Sequence, residues 1–296
     1  RTQCRNNLRQ LGLALHNYQG SYRVFPPSAC VSGTLVNQPW SAQAFLLPYV
    51  EGGTIYSQID FSRGYHDPVN KAAFPPNGVA TIRVPVLLCA SDPNDQARTT
   101  AAGVPEHYPL NYGLNMGAYF LFDPVRGAGG NAAFSPNLAL QPSDFLDGTS
   151  NTLGLVEVKA FTPRFHDAPA LPAVPPVSPG EVSSGYTGGA WSATNGHTEW
   201  VCGRAIHTGF TTTFTPNTVV PHTVGGETYD IDVSGIREGA SATAPTYAII
   251  TARSYHPGLV HALLMDGSAR SIGENISLEV WRNLGQRNDH QSIGEF

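Results

Sequence analysis

Charge is scarce in this chain of 296 residues: Asp, Glu, Lys and Arg make up 13%, about half the usual globular share. The formal net charge is −5, and the basic residues beyond the amino-terminal segment are scattered. Phosphate binding needs clustered Lys and Arg, so no nucleic-acid partner is expected. Long hydrophobic runs are missing too. The most apolar stretch, ATIRVPVLLCA, is far too short to span a bilayer, and no signal peptide is visible. Cysteine is limited to Cys4, Cys30, Cys89 and Cys202, none in a C-x-x-C pair, which argues against a structural zinc site. Four cysteines allow three pairings, and buried free thiols are the alternative.

Catalytic signatures are equally thin. There is no H-E-x-x-H, no G-x-S-x-G nucleophile elbow and no phosphate-binding Walker loop. Gly127-x-Gly129 neither follows a clear strand nor opens a helix, so it reads as loop. A cysteine nucleophile needs a base, and nothing in the sequence places a His beside any Cys. Among ten histidines, His256 and His261 are the closest pair in the β-rich region. Five residues apart on a strand they face opposite sides, which excludes a shared metal. No catalytic residue is assigned, and the chain is expected not to be an enzyme.

What is present is a substantial apolar fraction, 41%, enough for a sizeable core. Gly (31) and Pro (24) are frequent, so the chain turns often and carries long loops. Few charges with many turns and aromatics fit an exported, β-rich envelope protein. The first residue is Arg1, and a helical stripe is already under way there without a capping residue. This pattern predicts a further segment ahead of it, removed by processing or otherwise absent. Cys4, Leu8, Leu11, Leu15 and Tyr18 share one helical face, Arg1, Arg5 and Arg9 another. Gly20 is a plausible stop, and Pro26-Pro27 forbids continuation. A kinked or short second helix is expected from Trp40 to Ile59, interrupted by Pro48 and Gly52-Gly53.

Ile82 to Cys89 reads as a short extended segment broken by Pro85, and Gly103 to Pro142 as loop. Thr152 to Val158 is a strand candidate. The Pro-rich stretch from 163 to 180 reads as an extended surface crossover. Further strands are expected at Ala248 to Arg253, Leu259 to Met265 and Ser268 to Ile272. Asp266-Gly267 supplies a two-residue type I′ turn between the last two. Ser277 can cap a final helix carrying Leu278, Trp281 and Leu284. Two acidic turns, around Asp92 and Asp95 and around Asp147 and Asn151, offer oxygens that could ligate calcium. Turn residues that bond their own backbone are the favoured account, so no metal or other cofactor is assigned.

Arg1-Thr2-Gln3-Cys4-Arg5-Asn6-Asn7-Leu8-Arg9-Gln10-Leu11-Gly12-Leu13-Ala14-Leu15-His16-Asn17-Tyr18, then Phe25-Pro26-Pro27, resembles the prepilin-like bacterial family called domain of unknown function 1559. Further matches follow in order: Leu46-Leu47-Pro48-Tyr49-Val50-Glu51, Leu88-Cys89-x-Ser91-Asp92-Pro93, Asn111-Tyr112 and Asp147-Gly148-Thr149-Ser150-Asn151-Thr152. Near the end His256-Pro257-Gly258 and Asp266-Gly267-Ser268 form the family's H-x9-D-G signature, and Gly294-Glu295 fits its tail. Ala90 departs from the usual Pro after the cysteine.

The resemblance implies a precursor with a basic leader and a hydrophobic helix running into the helix seen here. It implies a structural pilin or pseudopilin-like subunit of a cell-envelope filament or type II secretion-like apparatus. Partners would be identical or homologous subunits, with the membrane reached only through the absent hydrophobic half. The expected fold is α+β and pilin-like: residues 1–24 as a helix on an antiparallel β-sheet, and residues 25–296 as a head with long loop insertions. Cys4 is expected to be buried and to pair with Cys89, leaving Cys30 with Cys202 as the remaining option. An envelope module that binds glycan through Tyr186, Trp191 and Trp200 is the alternative function.

Overall fold

The structure is a computed structural model that describes residues 1–169, 171–291 and 294. The tail position Glu295 lies outside the described residues. Helix α1 (Thr2–Tyr22) opens the chain, and short helices α2 (Ala42–Leu46), α3 (Gly53–Tyr56) and α4 (Pro68–Ala73) follow. Next come strands β1 (Arg98–Thr99), β2 (Pro105–His107), β3 (Tyr112–Asn115), β4 (Phe120–Asp123), β5 (Ala128–Gly129), β6 (Leu153–Glu157) and β7 (Thr162–Ala168). Helix α5 (Pro179–Gly185), β8 (Ala190–Gly196), α6 (Ala205–Thr208), β9 (Gly209–Phe210), β10 (Pro221–Val224), β11 (Glu227–Asp230) and β12 (Asp232–Gly235) continue the fold. It ends with β13 (Thr246–Ile249), β14 (Leu259–Leu264), β15 (Ala269–Gly273) and α7 (Leu278–Leu284).

Two sheets carry the architecture. One runs β15-β14-β6-β3-β9, the other β5-β4-β13-β12-β7-β8, and β1-β2 and β10-β11 are separate hairpins. The fold is α+β, with α1 packed against β14 and β15. The sheets are mixed rather than purely antiparallel, because β9 pairs parallel with β3 and β12 parallel with β7.

The helix forms where the apolar period requires it. Cys4, Leu8, Leu11, Ala14 and Leu15 are all within 1% of complete burial, whereas Leu13 on the opposite side is 63% exposed. Gly20 does not end α1. The chain continues to Tyr22 and stops at Arg23, whose left-handed φ of 67° closes a bond from its N–H to the Gln19 carbonyl. Tyr18 leaves the sheet-facing set: it is half-buried and packs on Tyr22 and Tyr49 at 4.5 and 6.2 Å between ring centroids. Tyr49 belongs to the 3-10 turn that follows α2, so the end of the helix meets that segment.

Several local expectations are corrected. The stretch from Gly103 to Pro142 contains β2 to β5, each only two to four residues long; Gly113 in β3 and Gly129 in β5 sit where neighbouring atoms pack against the position a Cβ would take. Ile82 to Cys89 holds a 3-10 turn at Pro85–Leu87 rather than a strand. The Pro-rich crossover begins as β7, an interior strand between β12 and β8, and Pro163 falls where its pairing with β8 is irregular. The Asp266-Gly267 turn is not type I′, since only Gly267 has positive φ (87°). Gly267 N–H donates to the Leu264 carbonyl and Leu264 N–H to the Ser268 carbonyl, a three-residue loop closed by a left-handed glycine. Ser277 does cap α7, accepting from Val280 N–H.

Candidate functional site

The family-like segments quoted above are scattered along the chain but meet around α1. At its first turn, Cys4 forms a disulfide with Cys89 across 85 residues. The Asn7 side chain donates to the Leu88 carbonyl (2.8 Å), and the Tyr112 hydroxyl to the Cys4 carbonyl (3.1 Å). Asn111 ties the layer behind: its Oδ1 accepts from Cys89 N–H and its Nδ2 donates to Asp92. Farther along the helix, Gly12 lies against Gly267, where an added Cβ would stand 3.3 Å from the Gly267 Cα. His16 rests on Gly267 and edge-on against Phe25 at 5.9 Å. The Asp266 N–H donates to the Thr149 carbonyl, so the hairpin turn is itself held by the Asp147-Gly148-Thr149 segment.

Behind the disulfide lies a buried acid–base pair. Glu157 ends β6 and is 1% exposed; its Oε1 meets His256 Nε2 at 3.1 Å and its Oε2 accepts the His261 N–H at 2.7 Å. Burial pushes the Glu157 carboxyl up to about 7, against the pull of that N–H. Burial lowers His256 and takes His261 down to about 4. Both shifts favour the uncharged forms of the pair, which share one proton across the 3.1 Å contact. His256 Nε2 also stands 3.8 Å from Cys89 Sγ, which corrects the expectation that no His adjoins a Cys. The two histidine rings lie 4.8 Å apart, not on opposite faces, because β14 begins at Leu259 and His256 belongs to the turn before it. Their proximity removes the strand-alternation objection to a shared ligand.

Cys30 and Cys202 are both free thiols, so the second expected pairing does not form. Cys202 is 1% exposed, and burial pushes its thiol up to about 12. The turn acids are occupied by protein donors. Asp92 accepts from Asn94, Asn111 and Ala160 N–H; Asp95 pairs with Arg83 and Tyr108; Asp147 accepts the Asp289 and His290 N–H groups. Asn151 donates its amide to the Asp147 carbonyl. None of the four joins a cluster of three ligating side chains among the described residues. Of the aromatics considered for glycan binding, Trp200 is fully buried, Tyr186 is buried, and Trp191 packs between Phe165 and Tyr229.

A second polar cluster was not visible in the sequence. His66 Nε2 and His107 Nε2 lie 2.9 Å apart, and Glu199 accepts from Arg98 at 2.9 Å beneath them. Arg98 also donates to His107 Nδ1. That bond leaves the single ring proton on His107 Nε2, which donates it to His66. A metal at His107 would have to remove that proton from a ring already facing a guanidinium, so this cluster is a hydrogen-bond relay rather than a metal centre. Burial and Arg98 hold His107 down at about 2, and it stays neutral.

The sequence profile of the family described as a protein of unknown function, domain of unknown function 1559, matches residues 1–279. The chain belongs to this family. No curated protein and no solved structure matches the chain. The family's motifs thus acquire a location: in this member they form the socket of α1. Glu157 is the part that sequence reasoning missed. Its signal was a lone carboxylate inside the apolar run Leu153-Gly154-Leu155-Val156-Glu157-Val158, where burial without a partner would be costly.

Proposed function

We propose that this family member is a structural, pilin- or pseudopilin-like subunit, exported to the cell envelope and acting without catalysis. It would associate with identical or homologous subunits in a filament or type II secretion-like apparatus. The observation that carries the reading is the one-sided fastening of α1. Its inner face is buried on β14 and β15 and pinned by the disulfide, while its outer face presents Gln3, Asn6, Gln10 and Leu13 to solvent. A helix held this way is a rigid spine offering one surface to neighbours. Beside Leu13 runs a groove of about 550 Å³ that combines Tyr49, Val50, Ile55 and Val86 with Gln10, Glu51 and Arg83, a mixed surface suited to a second copy's part-apolar flank. The disulfide supports export, since such bonds persist in oxidising compartments. No helix among the described residues is long and apolar enough to cross a membrane. The glycan-binding alternative loses support, because two of its three aromatics are core and the third is packed at an edge.

The test is assembly of the gene's full product in its own envelope, examined by electron microscopy and by cysteine cross-linking along the outer face of α1. Leu13→Glu should abolish cross-linking between copies while the secreted head keeps its native circular dichroism. Wild-type protein that stays dispersed and gives no cross-link through this face would overturn the proposal.

A further inference from the structure

The disulfide junction gathers more chemistry than a staple needs. Cys4, Cys89, Glu157 and His256 are all buried, and one donor atom from each lies within 4.8 Å of all the others. Two sulfurs, one imidazole nitrogen and one carboxylate oxygen make the donor set that a tetrahedral zinc-class ion selects. Bond lengths of about 2.3 Å to sulfur and 2.0 Å to nitrogen or oxygen put the sulfur–nitrogen separation near ~3.6 Å and nitrogen–oxygen near ~3.3 Å. The observed separations are 3.8 Å from Cys89 Sγ to His256 Nε2 and 3.1 Å from His256 Nε2 to Glu157 Oε1. The surrounding shell is also in place. Glu157 Oε2 is fixed by the His261 N–H, leaving Oε1 free to turn to an ion. Ser254 Oγ holds the His256 N–H, Asn111 the Cys89 N–H, and Tyr112 the Cys4 carbonyl.

Two more observations point to a ligand. His261, whose ring lies beside that of His256, has its Nε2 buried with no hydrogen-bond partner among the described residues. His256 also lines an open cleft of about 360 Å³ with Lys159, Arg253 and Tyr255, which gives a route from solvent.

We propose that this junction is a redox-gated metal site: with the disulfide closed it is a covalent staple, and in the dithiol state it binds one divalent zinc-class ion. Opening the bond takes two electrons and two protons. A dithiol supplies both and becomes a disulfide, whereas a phosphine supplies the electrons and becomes a phosphine oxide, with the two protons and the oxygen coming from water. Metal binding then releases the two thiol protons as Cys4 and Cys89 ligate as thiolates. A third proton leaves where Glu157 holds the one shared with His256; where His256 Nε2 holds it instead, that proton moves to Nδ1. A disulfide oxidant reverses the sequence: it takes the two electrons from the Cys4 and Cys89 thiolates and becomes a dithiol, the Cys4–Cys89 bond re-forms, and the ion is expelled. Either state pins the first turn of α1 to the Cys89 loop, so the helix stays docked before and after the bond forms.

The test uses the whole chain, oxidised and phosphine-reduced, equilibrated with zinc and analysed by native mass spectrometry. One zinc per reduced chain and none per oxidised chain is expected. Cobalt(II) in the reduced protein should give a thiolate charge-transfer band and a tetrahedral spectrum. Glu157→Gln with His256→Ala, which leaves both cysteines and the oxidised fold in place, should weaken zinc binding by at least ~10-fold. A reduced wild-type chain that takes up no zinc, folded or not, refutes the proposal. So does equal zinc binding by the oxidised chain, or undiminished affinity in the double variant.

Discussion

Replacing both members of the staple, Cys4→Ala with Cys89→Ala, separates the two forces that hold α1. Alanine is chosen because both positions are buried, and serine would bury a hydroxyl in each. The cysteines are 85 residues apart. Closing a loop of that length removes about 15 cal/mol/K from the unfolded chain, or about 4.6 kcal/mol at 25 °C. Against this stand Leu8, Leu11 and Leu15, each at most 1% exposed. At about 1.5–3 kcal/mol per side chain they contribute roughly 5–9 kcal/mol to docking. The apolar stripe outweighs the disulfide, so the variant should keep α1 on the sheet while the whole chain loses about 3–5 kcal/mol. Urea unfolding followed by the fluorescence of the buried Trp40, Trp200 and Trp281 measures the second quantity. Amide exchange along α1 measures the first: protection should persist from Leu8 to Leu15 and fall in the first turn. A stability loss under about 1 kcal/mol, or complete loss of protection in α1, would refute this division of labour.

Gly12→Val would place a Cβ 2.7 Å from Leu263 Cδ1 and push α1 off the hairpin, lowering stability by about 1–3 kcal/mol in a thermal melt. An unchanged melting temperature would mean that the helix does not seat there. Arg253→Met strands two carboxylates: Arg253 donates to Asp230 through two nitrogens and to the fully buried Asp232. The expected cost is about 3–5 kcal/mol, partly restored by adding Asp232→Asn; no restoration would show that charge is not the cause. For pH, the Glu157 carboxyl sits at about 7 when folded, above its ordinary 4.5. The folded state therefore binds the extra proton across that window, and ionising Glu157 destabilises it as pH rises. Glu157→Gln should gain stability relative to wild type from pH ~4.5 to ~7 and hold the gain above; a constant difference between their urea midpoints speaks against the assignment. In native alkylation, half-buried Cys30 should react and Cys202 only after unfolding, with one disulfide by intact mass; a Cys30–Cys202 bond would contradict the structure.

The helix and its seam were legible because periodicity is local: Leu8, Leu11 and Leu15 recur at the spacing one buried face demands. The hairpin, β6 and the Ser277 cap were legible for the same reason, each written within a few residues. What escaped was pairing between distant segments. β2 to β5 are two to four residues long, too short to show an alternating pattern, and β3 pairs with β6 and β9, which lie far along the chain. The His256–His261 relation failed where a strand rule was applied across a strand's boundary. The Cys89–His256–Glu157 cluster joins three segments, and no local signal ties a carboxylate on β6 to a turn 99 residues later. The family motifs named most of the pieces without saying that they touch.

Those pieces do a task that hydrophobic burial cannot. An apolar stripe on a helix repeats at every turn, so sliding α1 along β14 by one turn, about 5.4 Å, would re-pair leucines with much the same apolar surface. Burial favours docking but chooses the axial position weakly. Four contacts break that degeneracy: the Cys4–Cys89 bond, Asn7 on the Leu88 carbonyl, Tyr112 on the Cys4 carbonyl, and Gly12 against Gly267. Each is met only at one offset, and a shift of one turn loses all four together. The last is steric rather than attractive, since any side chain at position 12 other than hydrogen meets Leu263. Leucine burial therefore sets whether the helix is bound, and the motif residues set where.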